Sequence, residues 1–298
     1  MAVRASVLHC ARGKRMTGSI EHVMDTAFWV ASDRALEGER PDALFRDPLA
    51  AVLAGEKGRR IAEAMPNHRA MVFVMALRTT AIDRLIASAI ERGADTVLNL
   101  GAGLDTRPYR MQLPASLRWV EADFQSVIEH KNDKLAGERP SCALERVAID
   151  LTDRTERQAL LRRVANDSRS VLVLTEGVII YLHDDEVTRL AEDLHALPSI
   201  RYWIQDYYGV EARRHRPSLR QKLKAAPFVF SAPDWFGFFE NLGFSPLETI
   251  STRQEALRTG RRPPFFSPMT LMMLRLTSGW QKRADSILGY VMLQRSER

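Results

Sequence analysis

The sequence predicts an α/β protein in which a seven-stranded, mostly parallel sheet follows an N-terminal cap of helices. Three observations predict this fold. From about residue 95, short β-branched runs alternate with helical patterns. The first ninety residues have a helical apolar rhythm and no convincing strand. A glycine-rich turn directly follows the first strand. The strands are predicted at residues 96–100, 117–122, 146–150, 171–175, 202–206, 244–249 and 288–293.

The predicted helices divide the chain into two parts. Helical rhythm at residues 26–36, 61–65 and 71–89 defines a cap over residues 1–90, and we interpret the methionine-rich face of its last helix as core. Helices at 154–165, 184–196 and 233–242 alternate with the strands of a second domain, residues 91–298. Insertions are expected in that domain around residues 209–230 and 251–284.

Composition excludes several classes of protein. The chain has 298 residues, 45% of them hydrophobic and 27% charged, so it can bury a sizeable core. Its net charge of +6 does not indicate nucleic acid, and we interpret the basic tract at residues 213–224 as a solvated helix rather than an anion-facing lid. Cys10 and Cys142 provide neither a disulfide framework nor a metal site. With no apolar run long enough for a membrane, we expect a cytoplasmic protein without a metal.

The segment VLNLGAGLDTRPYR, residues 97–110, is the most informative motif of the chain. An apolar run stops at Gly101, Ala102 and Gly103, as in the first turn of a Rossmann-like sheet, where glycine lets a ligand approach the backbone. A dinucleotide fingerprint would have a third glycine at position 106, where this chain has threonine. The motif therefore indicates a nucleoside ligand without specifying a pyrophosphate.

Acidic residues end three successive predicted strands. Asp123 closes LRWVEAD, Asp150 closes AIDLTD at the third strand, and Glu176 follows the fourth in VLVLTEG. The carboxyl ends of parallel strands meet at one edge of the sheet, where such sheets bind ligands. Each residue alone is also typical of a helix cap, but together with the glycine turn they predict a nucleoside site.

These segments resemble one known family. NLGAGLDTRPYR, WVEADF, AIDLTD and LTEGVIIYL, together with LFRDPLA and ALRTTAIDRLI, are similar to the leucine carboxyl methyltransferases and polyketide carboxyl O-methyltransferases. The resemblance runs from about residue 25 to the end of the chain. It implies a class I methyltransferase fold, S-adenosyl-L-methionine (SAM) as cofactor, and a small-molecule acceptor with a carboxylate or hydroxyl group.

The resemblance also implies roles for individual residues. The turn at Gly101, Ala102 and Gly103 would face the methionine part of SAM. Asp123 would bind the ribose hydroxyls, and Asp150 with Leu151 the adenine. Arg78 would pair with the SAM carboxylate, Glu176 with its ammonium, and Tyr181 would stand near the transferred methyl group. An alternative for Arg78 is a salt bridge to Asp83 or to a neighbouring loop.

Two other functions use similar sequence features. A nicotinamide dehydrogenase would share the glycine turn and the ribose-binding acid, but no tyrosine here has the lysine four residues later that short-chain dehydrogenases use. A SAM-binding module without catalysis would be separated from an enzyme only by its lack of turnover. We expect an enzyme.

The expected reaction is methylation of a carboxylate, with a phenolic hydroxyl as the alternative and a protein C-terminus as the less similar case. A carboxylic acid with a pKa of about 4 is ionised at neutral pH, whereas a phenol of pKa about 10 needs a base. His183 is the candidate base, or else a solvated residue that starts a helix at Asp184. The aromatic segments at 228–239 and 263–266 line a pocket or pack, and we favour packing.

Overall fold

The computed structural model describes residue 20 and residues 22–209, 227–230, 232–264 and 278–297. Cys10, the basic tract at 213–224, Phe265 and Phe266 lie outside these residues, as do most of the first predicted insertion and part of the second. The strands are β1 Thr96–Leu100, β2 Arg118–Asp123, β3 Ala143–Ala148, β4 Val171–Thr175, β5 Ile200–Tyr208, β6 Phe244–Ser251 and β7 Leu288–Arg295.

The seven strands form one sheet in the order β3-β2-β1-β4-β5-β7-β6. Strands β1 to β5 are parallel to one another, and β7 runs antiparallel between β5 and β6. β1 and β4 are buried at every position because both of their faces are covered, which explains their continuous apolar sequences. The predicted α/β fold with a mostly parallel seven-stranded sheet is confirmed.

Three helices precede the sheet: α1 Val23–Gly38, α2 Pro48–Glu63 and α3 His68–Glu91. The helix predicted at 61–65 is the end of the longer α2, whose earlier part was missed because Gly55 kinks it at a φ of 53°. α3 buries one face, including Ile82, Leu85 and Ile86, against the same side of the sheet as Trp119. The methionine-rich face of α3 lines the cavity, where Met75 is buried and Met71 is half-buried, whereas Ile82, Leu85 and Ile86 further along α3 belong to the core.

The remaining described helices are α4 Arg107–Arg110, α5 Gln125–Lys134, α6 Arg154–Asn166, α7 Asp184–His195, α8 Trp235–Asn241, α9 Thr252–Arg258 and α10 Ser278–Ile287, with a 3₁₀ turn at Ile179–Tyr181. A second core lies on the other face of the sheet and contains Trp203, Phe230 and Phe239. Trp203 and Phe239 pack edge to face with ring centroids 5.2 Å apart. Most of the aromatic segment at 228–239 therefore packs, as we favoured.

Both predicted limits of the third strand need correction. The third strand begins at Ala143 and ends at Ala148, where its pairing with Asp123 of β2 stops. Asp150 lies beyond it in a turn, because its side chain accepts hydrogen bonds from the main chain and the hydroxyl of Thr152. The helix after the glycine turn has only four residues and begins at Arg107.

Two features are absent from the part of the chain that the structure describes. None of its helices combines the length and the apolar character needed to cross a membrane. Among the same residues, no group of three or more His, Cys, Asp or Glu side chains is arranged to hold a metal ion.

Candidate functional site

A cavity of about 320 Å³ lies at the carboxyl ends of β1, β2 and β4, beneath α1 and α3. β1 has β2 on one side and β4 on the other, so the chain leaves β1 toward one edge of the sheet and returns to the opposite side. Parallel sheets bind ligands at such a switch point. The cavity therefore occupies the position at which the fold is expected to hold a ligand.

The glycine turn forms the floor of this cavity. Gly101 and Gly103 have φ angles of 69° and 50°, which favour glycine. A Cβ atom on Gly101 would lie 2.5 Å from a methyl group of Val178, and one on Gly103 would lie 3.2 Å from the Ala27 Cβ atom in α1. The turn is held to β2 because the N–H groups of Gly101 and Ala102 donate to the Ala122 carbonyl.

Asp123, at the end of β2, faces the cavity and is tied to the turn. Its Oδ2 atom accepts from the Gly103 N–H and its Oδ1 atom from the Phe124 N–H, each at 2.7 Å. Burial raises the pKa of Asp123, whereas these two N–H groups and the Lys131 ammonium lower it. Each carboxylate oxygen has two acceptor positions, so one on each remains for a ligand.

Asp150, Leu151 and Ile149 line one side of the cavity. Asp150 is exposed, and its Oδ1 atom accepts from the Thr152 N–H at 2.9 Å and from the Thr152 hydroxyl at 2.7 Å. The structure thus brings Asp150 to the cavity through a turn rather than through the end of a strand.

Arg78 and Glu176 form a buried ion pair at the cavity wall. The Arg78 Nε atom lies 2.8 Å from Glu176 Oε1, and its Nη2 atom lies 3.7 Å from Asp206 Oδ1. The alternative pairing with Asp83 is wrong, because Asp83 binds the guanidinium groups of Arg107 and Arg110 instead. Arg78 and Glu176 are therefore both at the site, but each already has a charged partner.

Three functional candidates at this wall were not identified from the sequence. Arg107 binds Glu176 Oε2 at 2.7 Å and Asp105 Oδ2 at 3.0 Å, while Asp206 accepts from the Gly177 N–H at 2.6 Å. Burial raises the pKa of Glu176, but Arg107 and Arg78 outweigh it and hold that pKa below its usual range. The signals were present, since Asp105 and Arg107 directly follow the glycine turn and Asp206 closes the fifth predicted strand.

The structure separates the two predicted catalytic residues. Tyr181, in the 3₁₀ turn after β4, lines the cavity, and burial raises its pKa to about 12 although a hydrogen bond with Thr26 lowers it. His183 is exposed, is not among the residues that line the cavity, and starts α7 with its main-chain N–H donating to Glu186. The structure therefore brings Tyr181 to the cavity and places His183 outside the residues that line it.

Comparisons with known proteins agree with this geometry. The family model of leucine carboxyl methyltransferase matches residues 27–195, more than half of the chain. The chain belongs to the leucine carboxyl methyltransferase family. Relatives named "Putative S-adenosyl-L-methionine-dependent methyltransferase" include one from Frankia alni, 31% identical over 83% of this chain and 90% of its own length. Another, from Streptomyces coelicolor, is 35% identical over 59% of this chain and 67% of its own length.

Solved structures share the fold of this methyltransferase. A "duf574 family protein" from Streptomyces avermitilis covers 90% of this chain and 97% of its own, with a TM-score of 0.53 and 16% identity. A "putative methyltransferase" from Thermobifida fusca covers 95% and 97%, also with a TM-score of 0.53 and 16% identity. The fold is that of class I SAM methyltransferases, and SAM is the cofactor.

The part of the methyltransferase cavity away from the charged residues described above is apolar. Tyr181 and Phe228 pack with ring centroids 5.6 Å apart, and Tyr208 lies 6.1 Å from the same Phe228 ring. Among the described residues that line the cavity there is no histidine, lysine or cysteine. The apolar residues that complete this half are Met24, Trp29, Val30, Met71, Val74, Met75 and Leu288.

Proposed function

We propose that this methyltransferase transfers the methyl group of SAM to a carboxylate oxygen of an apolar small molecule. The observation that carries the proposal is that, among the residues described, the lining contains no histidine, lysine or cysteine. Of its four carboxylates, Asp105 is held by Arg107 and Asn99, and the other three are assigned to the cofactor below. Tyr181, with its pKa raised to about 12 by burial, stays protonated at neutral pH. An acceptor that is already ionised fits this site better than a phenol, which must lose a proton.

The residues present fit SAM. SAM carries a carboxylate, an ammonium, a sulfonium and a nucleoside, so its site needs charges of both signs beside a ribose acceptor. Asp123 has one free acceptor position on each oxygen, which suits two ribose hydroxyls. Arg78 has no hydrogen bond from Nη1 to any residue that the structure describes, and a guanidinium binds a carboxylate through parallel N–H donors.

We assign the remaining cofactor contacts in the same way. Glu176, ionised because Arg107 and Arg78 lower its pKa, would bind the SAM ammonium. Gly101, Ala102 and Gly103 would face the methionine part. Asp150 with Leu151 would bind the adenine, and the exposure of Asp150 suits a contact at the outer end of the cavity.

We divide the chain into a cap, residues 1–90, and a SAM-binding domain, residues 91–298. The cap helices α1 and α3 line the cavity through Thr26, Trp29 and Met71, whereas the strand ends and their loops line the opposite side. In this division the domain binds the cofactor and the cap encloses the acceptor. Arg78 is the exception, because α3 carries it into the cofactor half.

The protein contributes position and polarity to the reaction. Bound SAM supplies a methyl group activated by its sulfonium. The apolar wall of Trp29, Met71 and Phe228 excludes water, which strengthens electrostatic attraction between an anionic acceptor and a cationic centre. Tyr181, a neutral donor, orients the acceptor carboxylate by a hydrogen bond. Aligning the two reactants can lower the barrier by roughly 7–11 kcal/mol.

The chemistry of the product tests the proposal. We would incubate the enzyme with SAM labelled in its methyl group and with matched pairs of apolar acceptors, such as naphthoic acids and naphthols of the same ring system. Labelled methanol released by mild alkali identifies an ester, whereas an ether keeps its label. Transfer to the acids and not to the naphthols supports the proposal, and alkali-stable products from the naphthols contradict it.

A further inference from the structure

A buried lysine, Lys131, lies behind the cavity without lining it. Lys131 lies on α5 with its side chain fully buried, and its Nζ atom is 2.7 Å from Oε2 of Glu121, which is fully buried as well. A buried ion pair is costly to desolvate and is often replaceable by apolar residues without loss of stability. Its presence so close to a cofactor site therefore invites a functional explanation.

Charge around Lys131 is unbalanced in favour of cations. Glu121 Oε2 also accepts from the Arg146 guanidinium at 3.0 Å, so one carboxylate is shared between two cations. The other oxygen, Glu121 Oε1, is buried without a hydrogen-bond partner. Among the ion pairs formed by described residues, Lys131 has no other acidic partner. The cluster of Glu121, Lys131 and Arg146 thus carries a net positive charge inside the protein.

The geometry of β2 places this cluster directly under the cofactor site. Glu121 and Asp123 are two residues apart on one strand, so their side chains leave the sheet on the same face. Asn99 of β1 pairs in register with Glu121 and donates to Asp105 Oδ2 at 3.0 Å. The Lys131 ammonium acts electrostatically on both Asp123 and Asp105, although it does not line the cavity itself.

We propose that Lys131 is a positioning residue of the cofactor site, whose buried ammonium, anchored by Glu121, keeps Asp123 ionised as the acceptor for the ribose hydroxyls. This inference rests on the proposed role of Asp123. The charged groups that face this region are Glu121 on β2, Lys131 on α5, Asp105 after β1 and Arg146 on β3. Arg107 and Arg110 of α4 and Arg34 of α1 also act electrostatically on Asp105.

The sign of the effect follows from the charges. Burial raises the pKa of Asp123 and Lys131 lowers it, so removal of the ammonium raises that pKa further. Binding that requires an ionised Asp123 is present above this pKa and is lost as the pH falls through it. Lys131→Met should therefore move the acid limit of binding to higher pH.

The experiment measures the affinity of the full, cofactor-free chain for S-adenosylhomocysteine by calorimetry between pH 4.5 and 8. At pH 8, Lys131→Met is expected to bind with an affinity within about threefold of that of the natural protein. As the pH falls, the variant should lose affinity earlier, at a higher pH than the natural protein. Lys131→Arg keeps the charge and should restore the natural profile. Glu121→Gln leaves the ammonium uncompensated and should move the profile to lower pH.

Opposite shifts by Lys131→Met and Glu121→Gln support the inference, because simple damage to the fold would shift both variants in the same direction. An unshifted profile in Lys131→Met overturns it, as does a shift of Glu121→Gln to higher pH. If Lys131→Met does not fold, the profile of Glu121→Gln decides alone: a downward shift supports the role and an unmoved profile overturns it. Asp123→Asn separates the two proposals, because unchanged binding in that variant refutes the ribose contact itself.

Discussion

Replacement of Asp123 by alanine gives the most quantitative test of the cofactor site. Its carboxylate has one acceptor position free on each oxygen, after the Gly103 and Phe124 N–H groups take the others. Hydrogen bonds to a charged acceptor contribute about 1.5–3 kcal/mol each. The variant removes the acceptor of both ribose hydroxyls, and the loss of even one such bond corresponds to about a 10- to 150-fold weaker affinity for S-adenosylhomocysteine, which is the smallest effect expected.

The same change also affects stability. Two main-chain N–H groups lose their acceptor, which we expect to cost about 1–2 kcal/mol in the free energy of unfolding. Calorimetric titration measures the affinity, and urea unfolding measures the stability. Asp133→Ala is the matched control, because that aspartate is exposed on α5 and pairs only with Lys134 among the described residues. A folded Asp123→Ala variant that binds within threefold of the natural protein would refute the assignment.

Three further predictions concern the turn, the ion pairs and the excluded base. Gly101→Ala should lose about 1–3 kcal/mol more stability in urea than Gly260→Ala. The two glycines have matching φ angles of 69° and 70°, but only a Cβ atom on Gly101 would meet a valine methyl group, at 2.5 Å. Equal losses would show that this close approach does not matter. Arg107 lowers the pKa of Glu176, so the stability due to that ionised carboxylate is present above its unfolded pKa of about 4.3 and is lost as pH falls through the lower folded value. The difference in urea midpoint between the natural protein and Glu176→Gln should shrink between pH 5 and 3, and a constant difference would count against the ionised pair. His183→Ala should keep most of the methyl-transfer rate, because the side chain is exposed outside the cavity; a loss of tenfold or more would return it to the site.

The fold was most predictable where burial is complete. β1 and β4 were predicted to the residue, because a strand covered on both faces has a continuous apolar sequence with sharp ends. β3 lies at the edge of the sheet and is partly exposed, so its apolar pattern did not mark its limits. α2 was recognised only in its last turn, since Gly55 breaks the helical pattern before it.

The sequence predicts best those site residues whose position depends on their near neighbours in the chain. The glycine turn and Asp123 stand next to strand ends and Tyr181 follows from the family resemblance, and the structure places all of them at the cavity lining. Arg107 and Asp206 bind their partners across 69 and 29 positions of sequence, for Glu176 and Gly177 respectively, and a single sequence does not reveal such pairings. His183 is only two residues from Tyr181 in the sequence, yet it is exposed and starts α7 outside the cavity, a difference that sequence spacing alone does not reveal.

The central claim is that the acceptor enters the reaction as a carboxylate and needs no base. The most direct measurement is the pH dependence of a single turnover with SAM already bound and an acid acceptor in excess. The claim requires a rate that is flat from about pH 6 to 8, because the acceptor is ionised above a pKa of about 4. A rate that rises tenfold per pH unit across this range would contradict it and would indicate base-assisted methylation of a hydroxyl.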